Sequence, residues 1–338
     1  MNTIAELEAK LAEPSEKLIA ELSVLDGDIM LLGVGGKMGP SLARLAVHAI
    51  QMAGIRKRVI GVSRFSNEES KRELEEAGVE TISCDLLNDN DLQSLPEVAN
   101  IIYMAGNKFG TTGNEHFTWA MNAYLPGRVA EKFRNSRIVV FSSGNVYPFT
   151  SVGLGGVTES VMPEPKGEYA QSCLGRERIF EHFSHKYNIP MVIYRLNYAI
   201  DMRYGVLLEI AKSVYEGQPV QLATGHANVI WQGDANEMAL RCLTVCTHPP
   251  NIVNITGPET MSIRWAAEEI GKRLGKTPVF EGIESDTSLL SNASKSHQLF
   301  GYPRVSLLQM IDWTADWILH GGKTWNKPTH FQERKGNF

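Results

Sequence analysis

Residues 28–43 read Asp-Ile-Met-Leu-Leu-Gly-Val-Gly-Gly-Lys-Met-Gly-Pro-Ser-Leu-Ala, and this stretch decides the fold. The apolar run Ile29, Met30, Leu31, Leu32 predicts a short strand buried on both faces. It enters a turn with glycines at 33, 36 and 39, after which Leu42, Leu45, Ala46, Ala49 and Ile50 recur as on an amphipathic helix. Glycines so placed let the chain turn tightly and bring bare backbone N–H groups up to a diphosphate. The helix N-terminus adds its positive dipole end, and Pro40 at the first turn has no intrahelical N–H to lose. Strand, glycines and helix in this order predict a dinucleotide site contacting Gly33, Gly36, Lys37, Met38 and Gly39.

Working outward, residues 58–65 form a second predicted strand ending in Ser63-Arg64. Sheets that bind NAD usually place an acidic residue at this point, to accept from the ribose hydroxyls. A hydroxyl followed by a guanidinium suits a 2′-phosphate, and Lys37 offers a second cation, so NADP is expected over NAD. Further strands are expected at 79–84, ahead of Asp85-Leu86, and at 100–105, ending at Ala105-Gly106 where small residues let a cofactor approach. Others follow at 137–143 and 191–196, and a long helix opens near Tyr169. Strands alternating with helices mean an α/β protein with a doubly wound, Rossmann-type parallel sheet. Residues 3–25 read as one or two short helices broken at Pro14, and residues 320–338 as a loose tail or an arm on the body or a partner subunit.

Composition narrows the function. The 338 residues are 43% apolar and carry a net charge of −5, so nothing draws the chain to nucleic acid or an anionic membrane. No run approaches the roughly 18 apolar residues of a membrane span, and the N-terminus has no secretory pattern. Cys84, Cys173, Cys242 and Cys246 have no redox or zinc spacing, and no metal site is expected; a reducing cytoplasm is.

The landmarks together resemble the extended short-chain dehydrogenase/reductases, in their NAD(P)-dependent epimerase/dehydratase branch. The matching pieces are the glycine turn, Asp85-Leu86, Ala105-Gly106, Asn122, the segment 141–147, Tyr169-Ala-Gln-Ser-Cys173 and Arg195-Leu-Asn197. Residues 230–234, 254–257 and 292–295 complete the set. The resemblance implies a helical extension (1–25), a cofactor domain (26–200) to which a strand near 229–233 returns, a mainly substrate-binding lobe (201–330) and a tail (331–338). It also implies a homodimer through the helices of Asn122 and Tyr169, and Asn122 beside the cofactor.

The family's chemistry uses a tyrosine as proton donor and acceptor, a serine that holds the reacting oxygen, and a lysine four residues after the tyrosine. Tyr169 and Ser143 match the first two; the lysine position is Cys173. A nearby ammonium would lower a phenol's pKa by about 2–3 units, and a thiol supplies no such charge. Lys166 and Lys108 are candidate replacements, whereas Arg176, two helical turns from Tyr169, is expected to lie too far away. Family arginines that grip a nucleotide-sugar diphosphate are also missing near 226–229 and 281–286. The expected substrate is therefore a small sugar, sugar acid or polyol in a pocket with Lys108, Asn197, Arg203 and Trp231. A nucleotide sugar, or a cofactor-binding regulator without turnover, are the alternatives.

Overall fold

The computed structural model describes residues 1–108, 110 and 113–336. Seven strands build the central sheet: β1 (Ile29–Leu32), β2 (Val59–Ser63), β3 (Glu80–Ser83), β4 (Asn100–Tyr103), β5 (Arg137–Ser143), β6 (Met191–Leu196) and β7 (Asn251–Ile255). Their order is β7-β6-β5-β4-β1-β2-β3, and every neighbouring pair is parallel. Side-chain alternation explains why both faces are covered. Ile29 and Leu31 join one apolar cluster, and Met30 and Leu32 another; Val139 and Phe141 divide from Ile138 and Val140 in the same way. This is the doubly wound Rossmann-type sheet that the sequence predicts. Chain order reverses between β1 and β4, which opens a crevice above their carboxyl ends.

The two N-terminal helices, α1 (Ile4–Leu11) and α2 (Glu16–Val24), are capped by Thr3 and Ser15. They are more than an extension. Leu18 and Leu22 of α2 complete the sheet-side core, whereas Leu7 and Leu11 of α1 sit in the core of the second lobe. The helix after the glycine turn, α3 (Gly39–Met52), buries all five residues of its predicted stripe.

The second lobe packs α5 (Val206–Glu216), α7 (Ile263–Leu274) and α8 (Leu307–Leu319) around one apolar cluster. The long helix of the sheet domain is α4 (Gly167–Tyr187). More of the chain returns from the lobe than the strand expected near 229–233. Helix α6 (Gln232–Arg241) packs on α3, and β7 pairs in full register with β6. Val253 and Ile255 alternate into the sheet core, so the segment is a seventh strand rather than the start of the lobe. Residues after 320 form an arm on the body. Phe331 is buried in the lobe core, and Thr329 gives its hydroxyl to Glu209 at 2.8 Å. Arg334 reaches Thr287, and Gly336 packs on the backbone of Gly167 at the start of α4. Asn337 and Phe338 lie outside the described residues.

Candidate active site

The glycine turn is shaped by close backbone packing. Gly33 has φ +96° and approaches Ala105 so closely that a Cβ would stand 2.7 Å from its nitrogen. A Cβ on Gly39 would stand 2.0 Å from the Val34 carbonyl oxygen, so strand and helix meet only with glycine there. Gly35 and Gly36 are exposed at the mouth of α3, where no side chain caps the first turn. The Gly36 amide closes the turn on the Gly33 carbonyl at 3.1 Å, and the uncapped first turn of α3 fits a dinucleotide's diphosphate.

Ser63 lies at the end of β2 with its hydroxyl against Gly35, and Arg64 is exposed beyond it. Asp85 is exposed past β3 and accepts from the Leu87 N–H at 3.0 Å, while Leu86 is buried. Ala105 and Gly106 form the ledge after β4; a Cβ on Gly106 would meet the Arg176 guanidinium at 2.4 Å. Asn122, on a π-helical turn (Ala120–Tyr124), is fully buried and braces that ledge. It accepts from the Asn107 N–H and Arg176 Nη2, both at 2.8 Å, and donates to the Asn107 carbonyl and the Ser172 hydroxyl, both at 2.9 Å. Its side chain is thus occupied within the protein, where it fixes the ledge.

Lys37 corrects the sequence reading. It was expected beside Arg64 as a second cation for a 2′-phosphate. Its ammonium instead lies 2.9 Å from the ring centroid of Tyr204, across the cleft on the second lobe. The residue after Gly36 projects from the turn into the cleft, away from the end of β2.

Ser143 ends β5, and Tyr169 stands on the first turn of α4, with its phenol hydrogen-bonded to the Ser143 hydroxyl and the Cys173 thiol. The Ser143 oxygen also accepts from the Asn145 N–H at 3.1 Å. Burial pushes the phenol well above its ordinary value, and Cys173 adds to this; the Arg176 charge and the Ser143 hydrogen bond act the other way. Cys173 is fully buried and its thiol is raised by burial, so it stays protonated and is no nucleophile near neutral pH.

Arg176 is the residue that sequence reasoning excluded. It is two turns from Tyr169 but one from Cys173, and its long side chain runs back along the helix to the cavity wall. Nη1 donates to the Phe141 carbonyl at 2.8 Å and Nη2 to Asn122, which fixes the guanidinium beneath Gly106. The signal in sequence was the bare Gly106, which leaves room for it. Lys166, the other candidate cation on this helix, stands over the Phe149 ring in a smaller neighbouring cavity.

A buried network holds these parts in register. Glu177 of α4 takes two hydrogen bonds from Arg195 of β6, at 2.9 and 2.6 Å, and one from Ser142. Arg195 continues to Tyr147 at 2.7 Å, which donates to Asn254 of β7 at 2.8 Å. Removing either partner of the Arg195–Glu177 pair would strand a charge and cost about 3–5 kcal/mol.

The cavity above Tyr169 measures about 240 Å³. Lys108 and Asn197 line it as expected; Arg203 and Trp231 do not. Arg203 is bound to Asp201, through Nε at 3.0 Å and Nη2 at 2.6 Å, and to Glu8 of α1. Trp231 is in the lobe core, 5.3 Å from the ring of Trp313. Both were claimed by packing before a ligand could use them. Tyr198 (φ +42°), Tyr204 and Thr329 of the arm complete the wall and were not foreseen. Among the described residues, no group of three His, Cys, Asp or Glu side chains is placed to hold a metal ion, and no helix is long and apolar enough to cross a membrane.

Comparison with known proteins agrees with this geometry. Residues 29–255 match the model of the NAD dependent epimerase/dehydratase family. No curated protein matches the chain in sequence. Among solved structures, a UDP-glucuronic acid 4-epimerase from Bacillus cereus, bound to a fluorinated UDP-glucuronic acid and NAD, shares 20% identity. It has a TM-score of 0.70 over 86% of this chain and 99% of its own. The UDP-glucose 4-epimerase of Thermus thermophilus with NAD gives 19%, 0.69, 86% and 98%. The dTDP-glucose 4,6-dehydratase of Streptomyces venezuelae with NAD gives 16%, 0.73, 86% and 97%.

Proposed function

We propose that this chain, which belongs to the NAD dependent epimerase/dehydratase family, catalyses a hydride-transfer reaction on a sugar-type substrate, as an epimerase, dehydratase or oxidoreductase. The observation that carries the reading is the Tyr169–Ser143 hydrogen bond at the floor of a cavity reached from the glycine turn. A bound nicotinamide dinucleotide would supply the hydride acceptor or donor. The chain's own residues do the rest. Gly35, Gly36 and the first turn of α3 hold the diphosphate, and the ledge at Ala105-Gly106 lets the cofactor lie close to the sheet. Ser143 holds the reacting oxygen, and Tyr169 moves its proton. With its phenol raised above the ordinary value, Tyr169 is poised as a proton donor. In the oxidative direction the Arg176 charge favours the phenolate, the role a lysine at position 173 would otherwise have.

The solved structures of similar fold bind UDP- and dTDP-linked compounds, which makes a nucleotide sugar the first substrate class to test. One observation favours a smaller, unlinked sugar or sugar acid: Arg203 is engaged by Asp201 and Glu8, and Thr329 of the arm closes one side of the cavity. For the cofactor, exposed Arg64 after β2 favours NADP, whereas the solved relatives hold NAD. Tyr124, 61% exposed on the helix after Asn122, offers a face for a second copy.

The test incubates the protein with NAD or NADP and a panel of UDP-glucose, UDP-glucuronate, dTDP-glucose, glucose, glucuronate and sorbitol. Products are followed by chromatography as well as by nicotinamide absorbance, because an epimerase makes no net redox change. Conversion of one substrate is expected and should fall by about 10²–10⁴-fold in Tyr169→Phe. Tight cofactor binding with no conversion of any compound would overturn the enzyme reading in favour of a cofactor-binding regulator.

A further inference from the structure

The C-terminal arm, residues 323–336, joins the two sides of the cleft. On the lobe side the Trp325 N–H donates to the Arg203 carbonyl at 3.1 Å, and the Arg203 guanidinium lies 4.6 Å from the Trp325 ring centroid. Thr329 then gives both its backbone N–H and its hydroxyl to the Glu209 carboxylate of α5, and Phe331 enters the lobe core. Beyond Phe331 the partners change. Arg334 donates to the Thr287 carbonyl at 2.8 Å and lies 4.3 Å from the ring centroid of Phe149, in the loop after β5. Gly336 meets the Lys166 carbonyl and Gly167, two residues before Tyr169.

The arm also walls two cavities. Thr329 stands in the wall of the main one, and His330, Glu333 and Arg334 in that of a neighbour of about 30 Å³, which has room for water but not for a second ring. Asn145 and Tyr198 line both, so the two adjoin. Little of the docked arm is buried: among its described residues only Thr329 and Phe331 are. A segment with so few buried groups opens locally at far smaller cost than the fold as a whole.

We infer that the arm sets the length of substrate the site accepts, with Thr329, Phe331 and Arg334 as the specificity-determining residues. Docked, it confines the substrate to the main cavity, beside Tyr169 and Ser143. Released, it joins the two cavities and admits a compound whose sugar carries a second planar group, as a nucleotide-linked sugar does. That group would replace the Arg334 guanidinium on Phe149, beside Lys166. Calling the compound a substrate rests on the hydride-transfer reading, whereas competition between arm and ligand does not. A ligand that needs the arm released has its affinity reduced by the fraction of molecules in which the arm is free, so loosening the arm strengthens its binding.

Calorimetry on the intact, cofactor-loaded protein tests this with UDP-glucose as the probe. Phe331→Ala, which empties the anchor, should tighten UDP-glucose by at least about tenfold, and Arg334→Ala by about threefold. Phe331→Leu keeps the anchor and should bind the probe as the wild type does. Trypsin should cleave after Lys327 faster in Phe331→Ala than in the wild type. Cofactor affinity should stay within about twofold throughout. Thermal melting confirms that each variant folds, and Arg334→Ala, outside the lobe core, carries the test should Phe331→Ala melt early. Unchanged or weaker UDP-glucose binding in the folded variants would overturn the inference, whether or not the wild type binds the probe. So would tighter binding in Phe331→Ala with the arm still as resistant to trypsin as in the wild type. Failure of every compound in the substrate panel to react would defeat the hydride-transfer reading and leave this binding result standing, so the two failures are distinct.

Discussion

The two walls of the cleft are made in opposite ways. On the side of the glycine turn the chain removes side chains: Gly33, Gly36 and Gly39 bring backbone close to backbone, and Gly35 and Gly106 leave room for the Ser63 and Arg176 side chains. Around the cavity it inserts long, charged or aromatic ones, Lys37 from the turn itself and Lys108, Tyr198 and Tyr204 from other segments. The first wall is rigid and local in sequence. The second is assembled from long side chains of several segments.

That contrast predicts a graded series of effects. Gly39→Val should be the most damaging, because its Cβ would overlap the Val34 carbonyl. We expect a loss of about 3 kcal/mol or more in urea unfolding together with loss of cofactor binding; a stable variant that still bound cofactor would show that the glycine wall is not the rigid one. Tyr169→Phe should lower turnover by about 10²–10⁴-fold and leave cofactor affinity and melting temperature nearly unchanged. In the reductive direction the protonated phenol is the active form, and its pKa lies above the ordinary 10. The wild-type rate should therefore be flat through neutral pH and fall only above about 10, as a pH–rate profile would reveal.

Cys173→Lys sharpens the comparison at the point where the walls meet. Arg176 already supplies a positive charge there, so a second one should raise turnover by less than about threefold. It should also destabilise the fold by on the order of 2 kcal/mol, through like charges buried together. A gain of tenfold or more would mean that Arg176 does not serve the phenol. Arg64→Ala, at the exposed end of β2, should have the smallest effect: about tenfold weaker NADP binding with NAD affinity unchanged, read by calorimetry. Equal small losses for both nucleotides would place Arg64 outside the site.

The alternation of strands and helices, the glycine turn and the pairing of Ser143 with Tyr169 were legible in the sequence, because each depends on local periodicity or on a few residues at fixed spacing. The engagement of Arg203 by Glu8 and Asp201, the burial of Trp231 and the inclusion of residues 251–255 in the sheet were not, since each depends on segments far apart in the chain. The same holds for Arg176. Counting turns from Tyr169 set it aside, yet its position depends on Gly106 and Asn122, which leave a space and an acceptor for it.

By itself, then, the sequence determined the doubly wound sheet and its glycine turn, because main-chain sterics and the burial of short apolar runs act over a few residues. Tertiary structure alone decided which cations face the cavity and that the C-terminal arm closes one side of it. A long side chain's direction is set by whichever partner it meets across the fold, and those partners come from separate parts of the chain.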